Sequence, residues 1–552
     1  MRYLFVECVE PEIKLRKIFF LGISIFLLSF FISEKLSAQT LDSTNLPIII
    51  LDTYGQTIPD DPRIIISMGI IDNGIGNMNH VTDTFTNYNG EVSFEIRGST
   101  SQQYPKKSYA FTPVDSLGVN VNYPILGMPA ENDWILYAPY PDKTMMRNTL
   151  AYYLARRMGH YCSRTKFVEV VRNGTYRGVY EVLEKIKRDD NRVDISKITP
   201  ADTVGDALTG GYIIKIDKTT GSGADTFVSN YDPDVFFQYH DPEDSELMPI
   251  QKNYIESYVD SFETALMSPG FTDPDTGFRK YASENSFIDF FLLQELGHTV
   301  DGYRSSCFLH KDKNSNGGNL KMGPMWDFNL SFGNADYCSA YDTIGWQYEF
   351  NTVCNGYSPH VPFWWGRLLQ DAGYRNEMRC RWKYMRATFL NTDSINAWID
   401  SVANYLSEAQ QRNFTQWPIL GVYVNWNYYV GLTYQDEIDY LKMWIQKRCE
   451  WMDNNLPGHC YPVVNSVEDN LDFAFNVSPN PSTGNFLFNF NNLIQQGSIE
   501  VFNNLGEKVF SEKIIGRFSK EINLSNLSSG IYFAKVFDGK NFCCKKLVLQ
   551  KD

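Results

Sequence analysis

The sequence predicts an α+β protein followed by a small C-terminal β-sandwich, and three observations carry that reading. Strand-like segments crowd residues 46–112, helical periodicity takes over further along, and from Asn476 the texture changes to short alternating strands. The first group reads LPIIILDT, RIIISMGII, EVSFEIRG and KKSYAFTP with Gly, Asp and Asn between them, which predicts antiparallel hairpins. MMRNTLAYYLARRM places Leu150, Leu154 and Met158 at four-residue spacing with Gly159 as a stop, and predicts a helix. KFVEVVRNGTYRGVYEVLEKI predicts a strand pair turning at Asn173-Gly174, since both residues tolerate the positive φ of a tight hairpin. GGYIIKID is a further strand. YIESYVDSFETALM and NSFIDFFLLQELG are helices packed through Tyr258, Phe262, Phe287 and Phe291, and two more helices are expected at 395–414 and 434–452 before Pro457-Gly458 ends the series. Residues 461–475 read as a polar linker. The tail contributes NFLFNF, SIEVFNNLG, EKVFSEKI, KEINLSNL, GIYFAKVFDG and CCKKLVLQK, the alternating segments of a β-sandwich over 476–552.

The N-terminus sets the compartment. Lys14, Arg16 and Lys17 precede an apolar run over 18–32, and Leu36-Ser37-Ala38 follows, which makes residues 1–38 a signal peptide cleaved after Ala38. The run is shorter than the ~20 residues that span a bilayer, so no transmembrane segment is expected in the mature chain. A net charge of −15 argues against nucleic acid as a partner. Aromatic residues make up 15% of the chain, which points to a large core with β-structure and also suits carbohydrate contacts. Export permits disulfides such as Cys338 with Cys354 or Cys449 with Cys460, although spacing leaves connectivity open. No C-x-x-C pair or H-E-x-x-H run suggests a zinc site.

Polar chemistry concentrates between Leu296 and Asn334. Asp301 follows a helix and Asp327 follows a short strand-like run; phosphoryl transfer uses one carboxylate to orient or deprotonate the acceptor hydroxyl and another to hold magnesium. Protein kinases place a metal-binding Asn five residues after the catalytic Asp and a second Asp in a D-F-G triplet. Here Ser306 stands at the Asn position, and Asp327-Phe328-Asn329 stands where D-F-G would.

Several ordered blocks then resemble the CotH (spore coat protein H) family of atypical protein kinases: EIRGSTSQQYPKKSYAF, NDWILYAPYPDKTMMRN, NGTYRGVYEVLEKIKRDDNRVDI, GGYIIKID and the stretch from Asp301 to Gly333. The resemblance implies that residues 39–460 adopt an atypical kinase-like fold that binds ATP and Mg2+ and phosphorylates serine on extracytoplasmic proteins. It makes Asp301 the catalytic aspartate and Asp327 the metal-binding one, with Ser306 and Asn329 each retaining an oxygen for magnesium. Arg97, Gly98 and Ser99 with Lys106 and Lys107 become the phosphate-facing loop and strand, because glycine lets backbone N–H groups approach phosphate and lysine neutralises its charge. Glu184 is a candidate for orienting a lysine or for a place near the adenine. Ser306 in place of Asn, and Asn329 where many relatives show Asp, leave a second reading open: a surface binding or adhesion protein of the same fold with weak or no catalysis.

The tail segments NVSPNPSTGNFLFNF, IEVFNNLGEKVF, INLSNLSSGIYFAKV and KKLVLQ resemble the type A C-terminal sorting domain of type IX secretion. That implies a Bacteroidota-type cell, engagement of the type IX machinery through residues 476–552, and delivery to the outer-membrane exterior.

Overall fold

The computed structural model describes residues 40–219, 226–460, 475–540 and 542–551. The expected signal peptide, and residues 461–474 of the expected linker, lie outside the described residues. The chain divides into two compact units, one ending at Gly458 and the other beginning at His459.

Besides a short pairing of Ser43–Thr44 with Asn79–His80, the first part of the first unit has seven longer strands: β1 (Ile48–Asp52), β2 (Ile64–Ile71), β3 (Tyr88–Arg97), β4 (Ser108–Val114), β5 (Trp134–Tyr137), β6 (Thr165–Arg172) and β7 (Thr175–Glu184). Their alternation places Ile49, Leu51, Phe94, Phe111, Leu136 and Val170 in one buried cluster. The hairpins do not stop at an open sheet. They close into a barrel in the order β1-β2-β3-β4-β5-β7-β6, sealed by a parallel pairing of β1 with β6 that sets Ile48 beside Glu169. Closure removes the free edges that an open hairpin stack would present. Asn173 at φ 51° and Gly174 at φ 72° turn the β6–β7 hairpin, as the Asn-Gly pair predicts.

Helix α1 (Arg147–Arg157) follows β5. A second sheet has the order β9-β10-β8-β11-β12, from β8 (Tyr212–Ile216), β9 (Thr226–Val228), β10 (Phe236–Asp241), β11 (Cys307–Lys311) and β12 (Lys321–Met322). The longer helices beyond α1 are α2 (Pro249–Met267), α3 (Glu284–Gly297), α4 (Ala372–Ala387), α5 (Thr392–Tyr405), α6 (Ala409–Gln416) and α7 (Tyr434–Asn455). From Ser286 onward α3 is buried on every side, the pattern of a helix at the centre of a core, and it touches α1, α4 and α7.

The single helix expected over 395–414 is two. The chain turns after α5 because α6 has a different surface to cover: its Asn413 Oδ1 accepts from the Val179 amide of β7 at 3.1 Å and from Lys106 Nζ at 2.9 Å. Of the disulfides left open, Cys338–Cys354 forms, whereas Cys449 is a buried free thiol.

In the second unit the strands are longer than the segments the sequence suggests. SIEVF continues NFLFNF in one strand, β14 (Asn485–Phe502), and EKVFSEKI runs into KEIN in β15 (Lys508–Asn523). With β13 (Phe475–Ser478), β16 (Gly530–Phe537) and β17 (Phe542–Leu549) they form one five-stranded antiparallel sheet. Its pairing shifts between Asn489 and Ile494, and Phe486 and Phe488 before that shift share a core with Ile499 and Val501 after it.

In the first unit, Glu295 of α3 meets Arg448 of α7 at 3.1 Å with both side chains fully buried, and accepts further bonds from the Gln347 and Tyr348 amides and the Tyr303 hydroxyl. Removing one member strands the other charge. Glu295→Gln is therefore expected to cost about 3–5 kcal/mol in urea unfolding, and Glu295→Leu/Arg448→Met is expected to be destabilising as well, because it leaves the Gln347 and Tyr348 amides and the Tyr303 hydroxyl without their acceptor.

Candidate functional site

The loop carrying Asp327 is built from α1 outward. Arg147, Asn148 and Tyr152 lie within five residues of one another, with Asn148 and Tyr152 one turn apart on the same face. Arg147 Nε donates to the Ser331 carbonyl at 3.1 Å, Asn148 Oδ1 accepts from the Phe328 amide at 2.7 Å, and the Tyr152 hydroxyl accepts from the Asp327 amide at 3.3 Å. Asp142 in turn fixes Arg147 through a 2.6 Å ion pair. From the other side, the Ser331 hydroxyl donates to Thr299 and the Phe332 amide to the Gly297 carbonyl at the end of α3. Held in this way, Asp327 adopts φ 66°, and Tyr303, Ser306 and Phe332 nearby are also at positive φ, a density of unfavourable backbone that marks functional loops.

Asp327 does not stand alone. Its carboxyl is pushed up to about 6, first by the surrounding protein and then by the negative charges of Asp301 and Asp217, with Arg97 and Lys218 pulling the other way. Its own surface is nevertheless solvent-exposed, so it lies at the floor of an open recess rather than in the core. Direct exposure limits what desolvation can contribute, which makes the two like charges the sturdier part of the effect. Ser306 Oγ is 3.5 Å from Asp327 Oδ2, a contact too long for a strong hydrogen bond. Asn329 follows two residues on, half-buried, its carbonyl accepting from Asn334 Nδ2 at 2.7 Å.

Asp301 projects from the loop after α3, half-exposed, and Arg304 holds it at 2.9 Å. The Arg304 guanidinium lies 4.1 Å from the centre of the Phe350 ring, so the group that orients Asp301 is itself packed in place.

Opposite these carboxylates is the turn after β3. Arg97 lies 5.9 Å from the Trp326 ring and is electrostatically coupled to Asp327. Gly98 has φ 102°, and a Cβ there would sit 2.1 Å from Ser101 Oγ, so only glycine fits. Ser99 is exposed beside it. Lys218 Nζ donates to Thr100 Oγ1 at 2.8 Å and ties this turn to the end of β8, while Lys107 Nζ donates to the Gln102 carbonyl and braces it from below.

Two residues expected at the site are engaged elsewhere. Lys106 is buried within the barrel wall, donating to the Val179 carbonyl and to Asn413, with its charge 4.8 Å from the Tyr180 ring; burial lowers it to about 7. Glu184 is fully buried at the end of β7, one oxygen paired with Arg164 Nη1 at 2.5 Å and the other accepting from the Tyr161 hydroxyl and the Arg164 amide. Sequence reasoning passed over Asp217, Lys218 and Arg304. Asp217 was visible as the acidic end of GGYIIKID, the strand-end position from which α+β folds commonly present site residues.

Asp327, with the Ser306 hydroxyl 3.5 Å away and Asp301 and Asp217 near enough to raise its carboxyl, offers oxygen donors of the kind a hard divalent cation takes, although the described acidic and histidine side chains whose ligand atoms lie within 4.8 Å of one another are Asp232, Asp234 and His360. Arg97 and Lys218 face Asp327 across the recess. The molecule is thus a two-unit protein with an acidic recess beneath a cationic glycine turn. The family described as CotH kinase protein matches residues 94–452, and the chain belongs to that family. The Secretion system C-terminal sorting domain matches residues 476–550, which marks the chain for type IX secretion, through contact with that machinery, and for attachment at the cell surface. No curated protein matches the chain. Among the described residues, no helix is long and apolar enough to cross a membrane.

Because Asp327 holds its proton more tightly when folded than the ordinary carboxyl value of 3.8, the folded state loses stability as pH rises from about 4 through about 6 in the absence of divalent cation. Asp327→Asn is expected to raise the thermal midpoint at pH 7 and to flatten its dependence between pH 4 and pH 6, while below pH 4 the two proteins converge. Differential scanning calorimetry across that range reads the effect.

Proposed function

We propose that this protein is an extracytoplasmic phosphotransferase with an atypical kinase-like arrangement, transferring the terminal phosphate of ATP to serine hydroxyls of proteins with magnesium as the ion. The observation that supports it most is the crowding of Asp301 and Asp217 on Asp327 opposite Arg97 and Lys218. A magnesium nucleotide, when bound, supplies the transferable phosphoryl group.

The chain's own residues divide the remaining work. Asp327, with the Ser306 hydroxyl and the Asn329 amide, offers oxygen donors at the recess floor. Arg97 and Lys218 offset phosphate charge, and Gly98 leaves the backbone of its turn open to close approach. Asp301 is the half-exposed carboxylate that accepts a hydrogen bond from the acceptor serine and takes its proton, in an orientation set by Arg304. A binding protein of the same fold without catalysis is distinguished by one result, nucleotide uptake with no phosphoserine formed.

Asp301→Asn is expected to leave ATP affinity within about twofold and to slow transfer from labelled ATP to a serine peptide library by about 10²-fold or more, the scale of a lost general base. Transfer at the parent rate would remove Asp301 from the chemistry. Deleting residues 476–552 is expected to hold the protein inside the outer membrane with the unfolding midpoint of the first unit unchanged; surface labelling and calorimetry check the two halves of that statement.

A further inference from the structure

Beside Asp301 lies a second feature that neither metal nor nucleotide binding uses. Between the end of α3 and the loop closed by Cys338–Cys354 is a half-open pocket of about 220 Å³. Ile344, Trp346, Phe350 and Val353 supply its apolar wall. Ile344 and Val353 are 59% and 53% exposed, so they form a lip rather than part of the core. His298 also lines it; this residue is 3% exposed, and its Nδ1 has no hydrogen-bond partner. Asp342 and Glu349 add acidic groups to the lining.

Its position is what gives it meaning. The Phe350 ring of the pocket wall carries the Arg304 guanidinium at 4.1 Å, and that guanidinium holds Asp301 at 2.9 Å. Gln347 of the lining reaches the Val300 carbonyl, one residue before Asp301, at 3.4 Å. Two residues of the lining thus touch the Arg304 side chain and the backbone just before Asp301. The volume is too small for most drug-sized ligands, whose sites begin at about 300 Å³. It exceeds the cavity of about 150 Å³ that takes up benzene, so one aromatic ring with a polar group fits.

We infer that this pocket receives one aromatic side chain of the acceptor polypeptide, of tyrosine size, and so selects serines that have such a residue nearby. The occupant's identity rests on the phosphotransfer reading, but the pocket's affinity for an aromatic ring does not. An acceptor residue seated there lies against Phe350, whose ring carries the Arg304 that holds Asp301. The disulfide loop makes the selection part of the folded scaffold.

Two measurements on the full secreted chain test this separately. In the first, saturation-transfer NMR with N-acetyl-tyrosine amide should show transfer from the parent to the aromatic protons, with N-acetyl-alanine amide as the blank. Val353→Trp, which fills the mouth from a half-exposed position, and Ile344→Asp, which charges the lip, should both abolish it with the thermal midpoint retained. In the second, serine peptides containing tyrosine should have a KM at least tenfold below their alanine counterparts, and the difference should vanish in both variants with kcat and ATP affinity unchanged. Absence of transfer in the parent, transfer undiminished in both variants, or equal KM values for the two peptide sets would each overturn the inference. If no peptide is phosphorylated while both variants lose the amide, the phosphotransfer reading fails and the aromatic pocket stands.

Discussion

The recess depends on one constraint: α1 holds the segment 327–331 in a backbone conformation that an aspartate does not adopt by preference. A non-glycine residue at positive φ costs on the order of 1–3 kcal/mol and persists only where its neighbours over-determine it. Here Tyr152, Asn148 and Arg147 bind three successive parts of the segment, and Thr299 and Gly297 bind its far end. At about 1 kcal/mol net for each such bond, the set is sufficient to offset the strain. The same helix follows barrel strand β5 and touches the central helix α3, so the conformation of Asp327 is coupled to both halves of the first unit.

Electrostatics explain why that conformation is worth maintaining. The charges of Asp301 and Asp217 raise Asp327 although each has its own cation, Arg304 at 2.9 Å and Lys215 at 2.8 Å, and Arg97 and Lys218 act on Asp327 in the opposite sense. Contrast Glu295 and Arg448, fully buried and saturated with hydrogen bonds, which tie α3 to α7 and to the segment 343–348. The difference between a satisfied ion pair and a crowded, accessible group of like charges is the physical distinction between scaffold and site in this molecule.

Much of this was readable from residues, and the limits have identifiable causes. Strand alternation and the Asn173-Gly174 turn are local, so they predict hairpins well. Barrel closure depends on Ile48 pairing with Glu169, a contact across more than a hundred residues that no local pattern encodes. Asp301 and Asp327 emerged from spacing and family likeness, whereas Asp217 and Lys218 reach the recess only through the tertiary path of β8. Lys106 and Lys107 look equivalent in sequence; adjacent positions point to different environments, and one is enclosed by Val179, Tyr180 and Asn413 while the other braces the glycine turn. In the tail, NFLFNF and SIEVFNNLG read as separate segments, and Gly497 lies just before the second. In the structure it lies inside β14 because the Phe537 carbonyl approaches to 2.0 Å of where a Cβ would be, a close backbone contact that requires glycine.

On the proposed reading, Asp327 and its neighbouring carboxylates hold a cation that accompanies a nucleotide. Isothermal titration of the secreted chain with ATP, with and without magnesium, tests it most directly when repeated on Asp327→Asn. The account predicts saturable binding that requires magnesium and is weakened at least tenfold by the substitution. Equal affinity with and without magnesium, or binding unchanged in Asp327→Asn, would contradict it.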